Sequence, residues 1–173
     1  MASFTEQLFE LQIPMIFDPG QVVPIFPVAN LIDSIKKTEI LISNKYENEQ
    51  IREKTGLSEE ELLESVKSII ITKGAEGSEL IYKDDKKTYH VNIPICEPNE
   101  IIDTTGAGDG YRAGILAGLS LDMTLLDSCR LGSVISSFVI ETRGAQTQHY
   151  KLGDIKKRFL KTYKYIPQEM ESL

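Results

Sequence analysis

Three short runs that are apolar at almost every position constrain this chain more than any other feature. They are Ile13 to Phe17 (IPMIF), Ile40 to Ser43 (ILIS) and Ile69 to Thr72 (IIIT). A strand with one wet face alternates apolar and polar residues, whereas a strand with no polar face must be covered on both sides, as in a parallel sheet. Helix-like segments separate the runs. Leu31, Ile32 and Ile35 have helical spacing, Asn44 opens a polar helix, and Ser58 followed by Glu61 is a capping box. Strands alternating with helices in this way predict an α/β fold: a three-layer αβα, Rossmann-like, mostly parallel sheet. Such sheets bind ligands outside the carboxyl ends of their strands. The first run stops at Asp18-Pro19-Gly20, the second at Asn44 and the third at Lys73-Gly74.

The rest of the chain extends this pattern. Phe4, Leu8 and Leu11 predict a helix. Leu80 to Tyr82 and Thr88 to Ile93, around an Asp84-Asp85 turn, predict a small β-hairpin. Ile101-Ile102-Asp103 reads as a short strand running into a glycine turn. Helices follow over Tyr111 to Leu119, Leu125 to Ile140 and, after a break at Arg143-Gly144, Lys151 to Tyr165. A length of 173 residues with no repeat or flexible linker predicts one domain over 1–173.

Composition excludes several classes. A formal net charge of −7 repels a phosphate backbone, so nucleic acid is not an expected partner. It does not exclude ATP, because a local glycine-rich loop and Mg²⁺ hold a polyphosphate even within an acidic protein. Cys96 and Cys129 form no CxxC pair or zinc cluster and are expected to be buried thiols. No apolar run is long enough to cross a bilayer, and the first residues lack a signal-peptide pattern, so a cytoplasmic location is expected.

The segment Asp103-Thr104-Thr105-Gly106-Ala107-Gly108-Asp109 carries the chemistry. Gly106 and Gly108 permit backbone conformations closed to other residues, so several N–H groups can point at one spot. The helix that follows adds unpaired N–H donors and partial positive charge at its N-terminus. Together these make a hole for an anion. Asp109 at its mouth can accept a proton from an attacking hydroxyl. Taken alone, the two glycines are also a plain turn and Asp109 a helix cap.

The longer string DTTGAGDGYRAG resembles the second signature of the ribokinase-like (PfkB) sugar and nucleoside kinases. Further family-like strings occur in the same order: FDPGQ at 17–21, ISNKYE at 42–47, TKGAEGS at 72–78 and ETRGAQ at 141–146. Together they look most like the adenosine-kinase-like branch. The resemblance implies a ribokinase-like fold and ATP-dependent phosphotransfer to the hydroxymethyl group of a nucleoside, adenosine first, or of a sugar. It implies that Asp109 is the general base and that Gly106, Ala107 and Gly108 form the anion hole. Thr72, Gly74 and Gly77 match the loop that holds ATP, and Ser133 falls near the position beside adenine. Asn44 and Glu47 match the NxxE motif associated with Mg²⁺. Asp103, Thr105 and Gly144 match residues that bind an activating monovalent cation such as K⁺.

Each motif also has a plain structural use. Asn44 with Glu47 is a good capping box. Lys73-Gly74 is a simple strand exit, Asp18 a turn-former, and Arg112 a surface or ion-paired residue. His90 and His149 belong to no motif. Members of the family are much longer, and the first residues here match the middle of such a chain. The sequence thus predicts a truncated protein without the N-terminal half that carries the acceptor site and lid. An exposed sheet edge near Ile13 to Phe17 then invites self-association. The alternative function is a nucleotide-binding fragment without catalysis. A dinucleotide-binding domain is excluded, because the first strand ends in DPGQ and not GxGxxG.

Overall fold

The computed structural model describes residues 2–85 and 87–171. The chain divides into two compact units, 1–92 and 93–173.

The first unit holds helix α1 (Ala2–Glu10), strand β1 (Ile16–Phe17), helix α2 (Val28–Lys36), strand β2 (Ile40–Asn44), helices α3 (Lys45–Thr55) and α4 (Glu59–Ser65), and strand β3 (Ser68–Thr72). Strands β4 (Ser78–Asp84) and β5 (Lys87–Ile93) follow. The sheet order is β1-β2-β3-β4-β5. The pairs β1–β2 and β2–β3 are parallel and β3–β4 is antiparallel, so the sheet is mixed, with the expected hairpin at its β4–β5 end. Leu41, Ile69, Ile71 and Ile81 pack with Leu31 and Ile35 of α2, Ile51 of α3 and Leu62 of α4. The alternate strand positions Ile42, Ile70 and Leu80 are buried as well. This two-sided burial is why the runs carry no polar alternation.

Local signals start the helices. Asn44 Oδ1 accepts the Glu47 N–H at 2.8 Å while Glu47 Oε2 accepts the Asn44 N–H at 2.9 Å. Ser58 and Glu61 repeat this reciprocal cap at α4. The second unit is helical among its described residues, with α5 (Ala107–Ser120), α6 (Leu125–Val139), α7 (Leu152–Tyr163) and the short α8 (Gln168–Glu171). Helices α5 and α6 approach closely through glycine. A Cβ on Gly114 would lie 2.5 Å from the Gly132 Cα, and one on Gly132 would lie 2.6 Å from the Tyr111 carbonyl. Phe138, Phe159, Val134 and Leu131 form the core of this unit. Both cysteines are buried free thiols, and burial pushes Cys129 up to about 12.

Two sequence expectations need correction. The run Ile13 to Phe17 forms a strand only at Ile16–Phe17, because Ile13 is exposed and Pro14 has no N–H to give to a ladder. Ile101 to Asp103 is not a strand. Ile101 and Ile102 are exposed, and the N–H groups of Ile102 and Asp103 bond the Ile140 carbonyl at the end of α6 (2.8 and 3.2 Å). The glycine turn therefore follows a loop held by a helix end.

Candidate active site

In the second unit the glycine turn leads into α5. Gly106 is the N-cap, in the left-handed region at φ 82°, which an L side chain reaches only with strain. It also touches Ala145 so closely that an added Cβ would lie 2.6 Å from the Ala145 Cβ and 2.8 Å from its Cα. The first N–H groups of a helix lack partners within it. Here Ala107 N–H bonds the Thr104 carbonyl at 3.2 Å and Gly110 N–H the Gly106 carbonyl at 2.9 Å. Among the described residues, no acceptor takes the N–H of Gly108 or Asp109. Two adjacent donors are thus open at the positive end of α5.

Asp109 stands in the same first turn with its side chain 82% exposed. Its Oδ1 lies 3.5 Å from Arg112 Nη1, one turn further along α5. The carboxylate is therefore in solvent beside the open donors. Arg112 is its ion-pair partner, one of the two uses expected from sequence.

Asp103 fixes the turn. Its Oδ1 accepts the Thr105 N–H and its Oδ2 the Gly144 N–H, each at 2.9 Å. The bonds from Thr105 and Gly144 hold its carboxyl down at about 2, with the Arg143 charge adding to them. Asp103, Thr105 and Gly144, grouped in the sequence through a family resemblance, thus meet around one carboxylate. Gly144 itself has φ 90°. Protein N–H donors make this link, so the order expected of a bound cation is already built into the chain. Asp103 is also an oxygen donor that a monovalent cation can share.

In the first unit the parallel register sets Asn44 beside Thr72, both at the carboxyl ends of their strands. Asn44 and Glu47 form the cap described above, and Glu47 is 5% exposed, so the structural use of the NxxE motif is realised. That cap engages Oε2 of Glu47. After Thr72 the chain makes a tight turn, with Gly74 at φ 58° and Gly77 at φ 89°. Lys73 N–H donates to the Gly77 carbonyl at 2.8 Å, and Gly77 N–H to the Gly74 carbonyl at 3.1 Å. At β1 the Asp18 Oδ1 accepts the Gly20 N–H at 2.8 Å, which makes Asp18 the expected turn-former.

Ser133, which the family resemblance puts near the position beside adenine, is a buried residue of the second unit. It is 9% exposed on α6, and its hydroxyl accepts the Cys96 N–H at 2.7 Å and bonds Tyr163. Its polar atom is engaged inside the second unit. Sequence reasoning also missed Ala145, which walls Gly106, and Glu141, whose Oε1 takes the Asn99 N–H at 2.5 Å while Arg158 pairs with it. No local spacing announces either contact.

Among the described residues no cluster of three or more His, Cys, Asp or Glu side chains could hold a metal ion. The donor set fits Mg²⁺ only in the mode where one or two carboxylates share it with nucleotide phosphates. Glu47, with its second oxygen, fits that mode. No helix among the described residues is long and apolar enough to cross a membrane.

Residues 6–151 match the pfkB family of carbohydrate kinases. The chain is 39% identical over 131 residues to a nucleoside kinase of Methanocaldococcus jannaschii, a match covering 76% of this chain and 42% of that protein. It is 34% identical over 152 residues to a nucleoside kinase of Methanothermobacter thermautotrophicus, covering 87% of this chain and 47% of the relative. Among solved structures, the Burkholderia thailandensis nucleoside kinase in complex with inosine is similar at a TM-score of 0.90 and 34% identity, over 96% of this chain and 54% of that one. The same kinase has been solved in complex with ADP-inosine. The chain spans about half the length of the curated relatives it matches.

Proposed function

The chain belongs to the pfkB family of carbohydrate kinases and has its ribokinase-like αβα fold, and from that premise we propose that it carries the nucleotide-binding and base-bearing part of an ATP-dependent nucleoside kinase. The observation that supports this best is the exposed Asp109 carboxylate in the same helical turn as the open N–H groups of Gly108 and Asp109.

In this reading Asp109 takes the proton from the hydroxymethyl group of the acceptor. The freed oxygen attacks the terminal phosphorus of ATP, its bond to ADP breaks, and ADP leaves. The Gly108 and Asp109 N–H groups stabilise the charge spread over the moving phosphoryl group. Asp103 holds the turn so that those donors need no rearrangement when the charge develops. Thr72, Gly74 and Gly77 form the turn that holds the ATP phosphates. Glu47 would hold Mg²⁺, which would neutralise phosphate charge, and Asn44 fixes the Glu47 side chain for that role. Asp103, Thr105 and Gly144 would hold a monovalent cation, which would reinforce the order their own bonds give the turn. A nucleoside acceptor is favoured over a free sugar because the relatives at 34–39% identity are nucleoside kinases. Adenosine and inosine are the acceptors to try first.

The test combines calorimetry with Mg-ATP and a coupled ADP-release assay on adenosine, inosine and ribose, with and without K⁺. Removing a general base lowers turnover by roughly 10²- to 10⁴-fold. Asp109→Asn is expected to show that loss with its Mg-ATP affinity kept. Turnover unaffected by Asp109→Asn, or no binding of Mg-ATP at all, would refute the proposal. Binding without turnover in the unsubstituted chain would leave a nucleotide-binding module.

A further inference from the structure

The turn at Thr72 to Ser78 is poor in side chains able to hold it. Two of its residues are glycines, and a Cβ on Gly74 would meet nothing within 4 Å. Its backbone bonds are internal, from Lys73 to Gly77, Glu76 to Lys73 and Gly77 to Gly74. Lys73 carries one side-chain tie out of the turn. Its Nζ lies 2.6 Å from Glu79 Oε2, and both side chains are mostly buried, at 25% and 17% exposure.

Glu79 is itself braced. It sits on β4, in register with Ile71 of β3, so its backbone is fixed by the sheet. Its second oxygen, Oε1, accepts from His90 Nδ1 of β5 at 3.0 Å. The far ring nitrogen of His90 lies 3.4 Å from Glu59 Oε1, in the first turn of α4. Burial raises the Glu79 carboxyl, and the bonds from Lys73 and His90 outweigh it and hold the group below the usual carboxylate range. A chain of four charged or polar side chains thus runs from the glycine turn to the hairpin and α4. The function proposed above uses neither His90 nor Glu79.

We infer that Glu79, braced by His90, is a positioning residue for the Thr72–Ser78 turn: it draws the Lys73 side chain back against the sheet, so that the turn meets phosphate with main-chain donors. The inference rests on the proposed role of this turn in holding ATP. Lysine after a strand and before a glycine is commonly read as a phosphate ligand, and here its ammonium is already paired. The pair leaves the turn with no net side-chain charge from Lys73 and Glu79. It also fixes the one residue of the turn whose N–H closes the loop onto Gly77.

The experiment measures Mg-ATP affinity by calorimetry for the unsubstituted chain, Glu79→Ala, Glu79→Gln, Lys73→Met and the Lys73→Met/Glu79→Ala double variant. Glu79→Ala and Lys73→Met are each expected to weaken binding about five- to tenfold, and the double variant no more than either, because residues acting as one unit are not additive. Glu79→Gln, which keeps the shape and one acceptor, is expected to recover part of the loss. A purely structural role would lower the melting temperature and leave affinity within about twofold, and that result overturns the inference. Tighter binding by Glu79→Ala also overturns it, since Lys73 released from Glu79 would then be a phosphate ligand. If Glu79→Ala does not fold, Lys73→Met and Glu79→Gln decide by the same criteria. An unsubstituted chain that binds no Mg-ATP refutes the proposed function, whereas intact binding in every variant refutes this inference alone.

Discussion

Substituting Gly106 by Ala tests whether the glycine turn is as tightly built as the geometry states. Two costs can be worked out. Gly106 has φ 82°, and an L residue in the left-handed region costs roughly 1–2 kcal/mol. Its new Cβ would lie 2.6 Å from the Ala145 Cβ and 2.8 Å from the Ala145 Cα, so backbone as well as side chain must move. Overpacking of that kind adds about 1–3 kcal/mol. The sum is at least about 2 kcal/mol, and at ~2–4 °C per kcal/mol for a protein of this size the melting temperature should fall by about 4 °C or more. The damage also reaches the site. Ala145 follows Gly144, whose N–H bonds Asp103, so moving this loop loosens the carboxylate that also holds Thr105. Mg-ATP binding should weaken along with stability. Gly108→Ala is the control. Gly108 has no positive φ, and its Cβ would meet only the end of the flexible Arg112 side chain, with Nη1 nearest at 2.8 Å. Its stability should change by no more than about 0.5 kcal/mol. Thermal and urea denaturation, read beside calorimetry, decide the matter. A Gly106→Ala variant that melts and binds like the parent, or a Gly108→Ala variant destabilised just as much, would refute the reasoning.

Two further outcomes follow from the same geometry. Asp103 is held down at about 2 against an ordinary carboxyl value of about 3.9, so its contribution to stability is full above the unfolded value and disappears as pH falls from about 4 to 2; Asp103→Asn should flatten the acid limb of the stability curve in that window, and a carboxyl NMR titration should place the Asp103 midpoint near 2. Gly132→Ala places a Cβ 2.6 Å from the Tyr111 carbonyl and must push α5 and α6 apart, so its urea midpoint should drop by the equivalent of about 1–3 kcal/mol, with the slope unchanged.

The legible parts of the fold were those set by short stretches of chain. Strands β2 and β3 show in the sequence because both their faces are buried, and each residue of the run reports that on its own. The capping boxes at Asn44 and Ser58 are three-residue spacings, and both form as expected. Where a partner far along the chain decides, local reading fails. Ile101 and Ile102 look like a strand, yet the N–H groups of Ile102 and Asp103 share one carbonyl at Ile140 and no ladder forms. The bond from the Gly144 N–H to the Asp103 carboxylate spans 41 positions, and only the family resemblance groups them in the sequence. His90 belongs to no local motif because its partners, Glu79 and Glu59, lie on other elements.

The same limit explains why a motif does not fix the use of each of its atoms. DTTGAGD names a turn with several candidate donors, and only the backbone bonds show how many remain for a ligand. The Ala107 N–H is engaged by Thr104, and the Gly110 N–H by Gly106. That leaves Gly108 and Asp109 in the first turn of α5. An anion that depends on these two donors loses a large share of its binding if either is re-aimed, and both are aimed by Gly106. The Ser133 hydroxyl shows the opposite case. It holds the Cys96 N–H in the interior, so its polar atom contributes to packing the second unit. Function is therefore best sought where a donor or carboxylate is held rigidly and still unsatisfied by the chain. Within the second unit, the first turn of α5 meets both conditions.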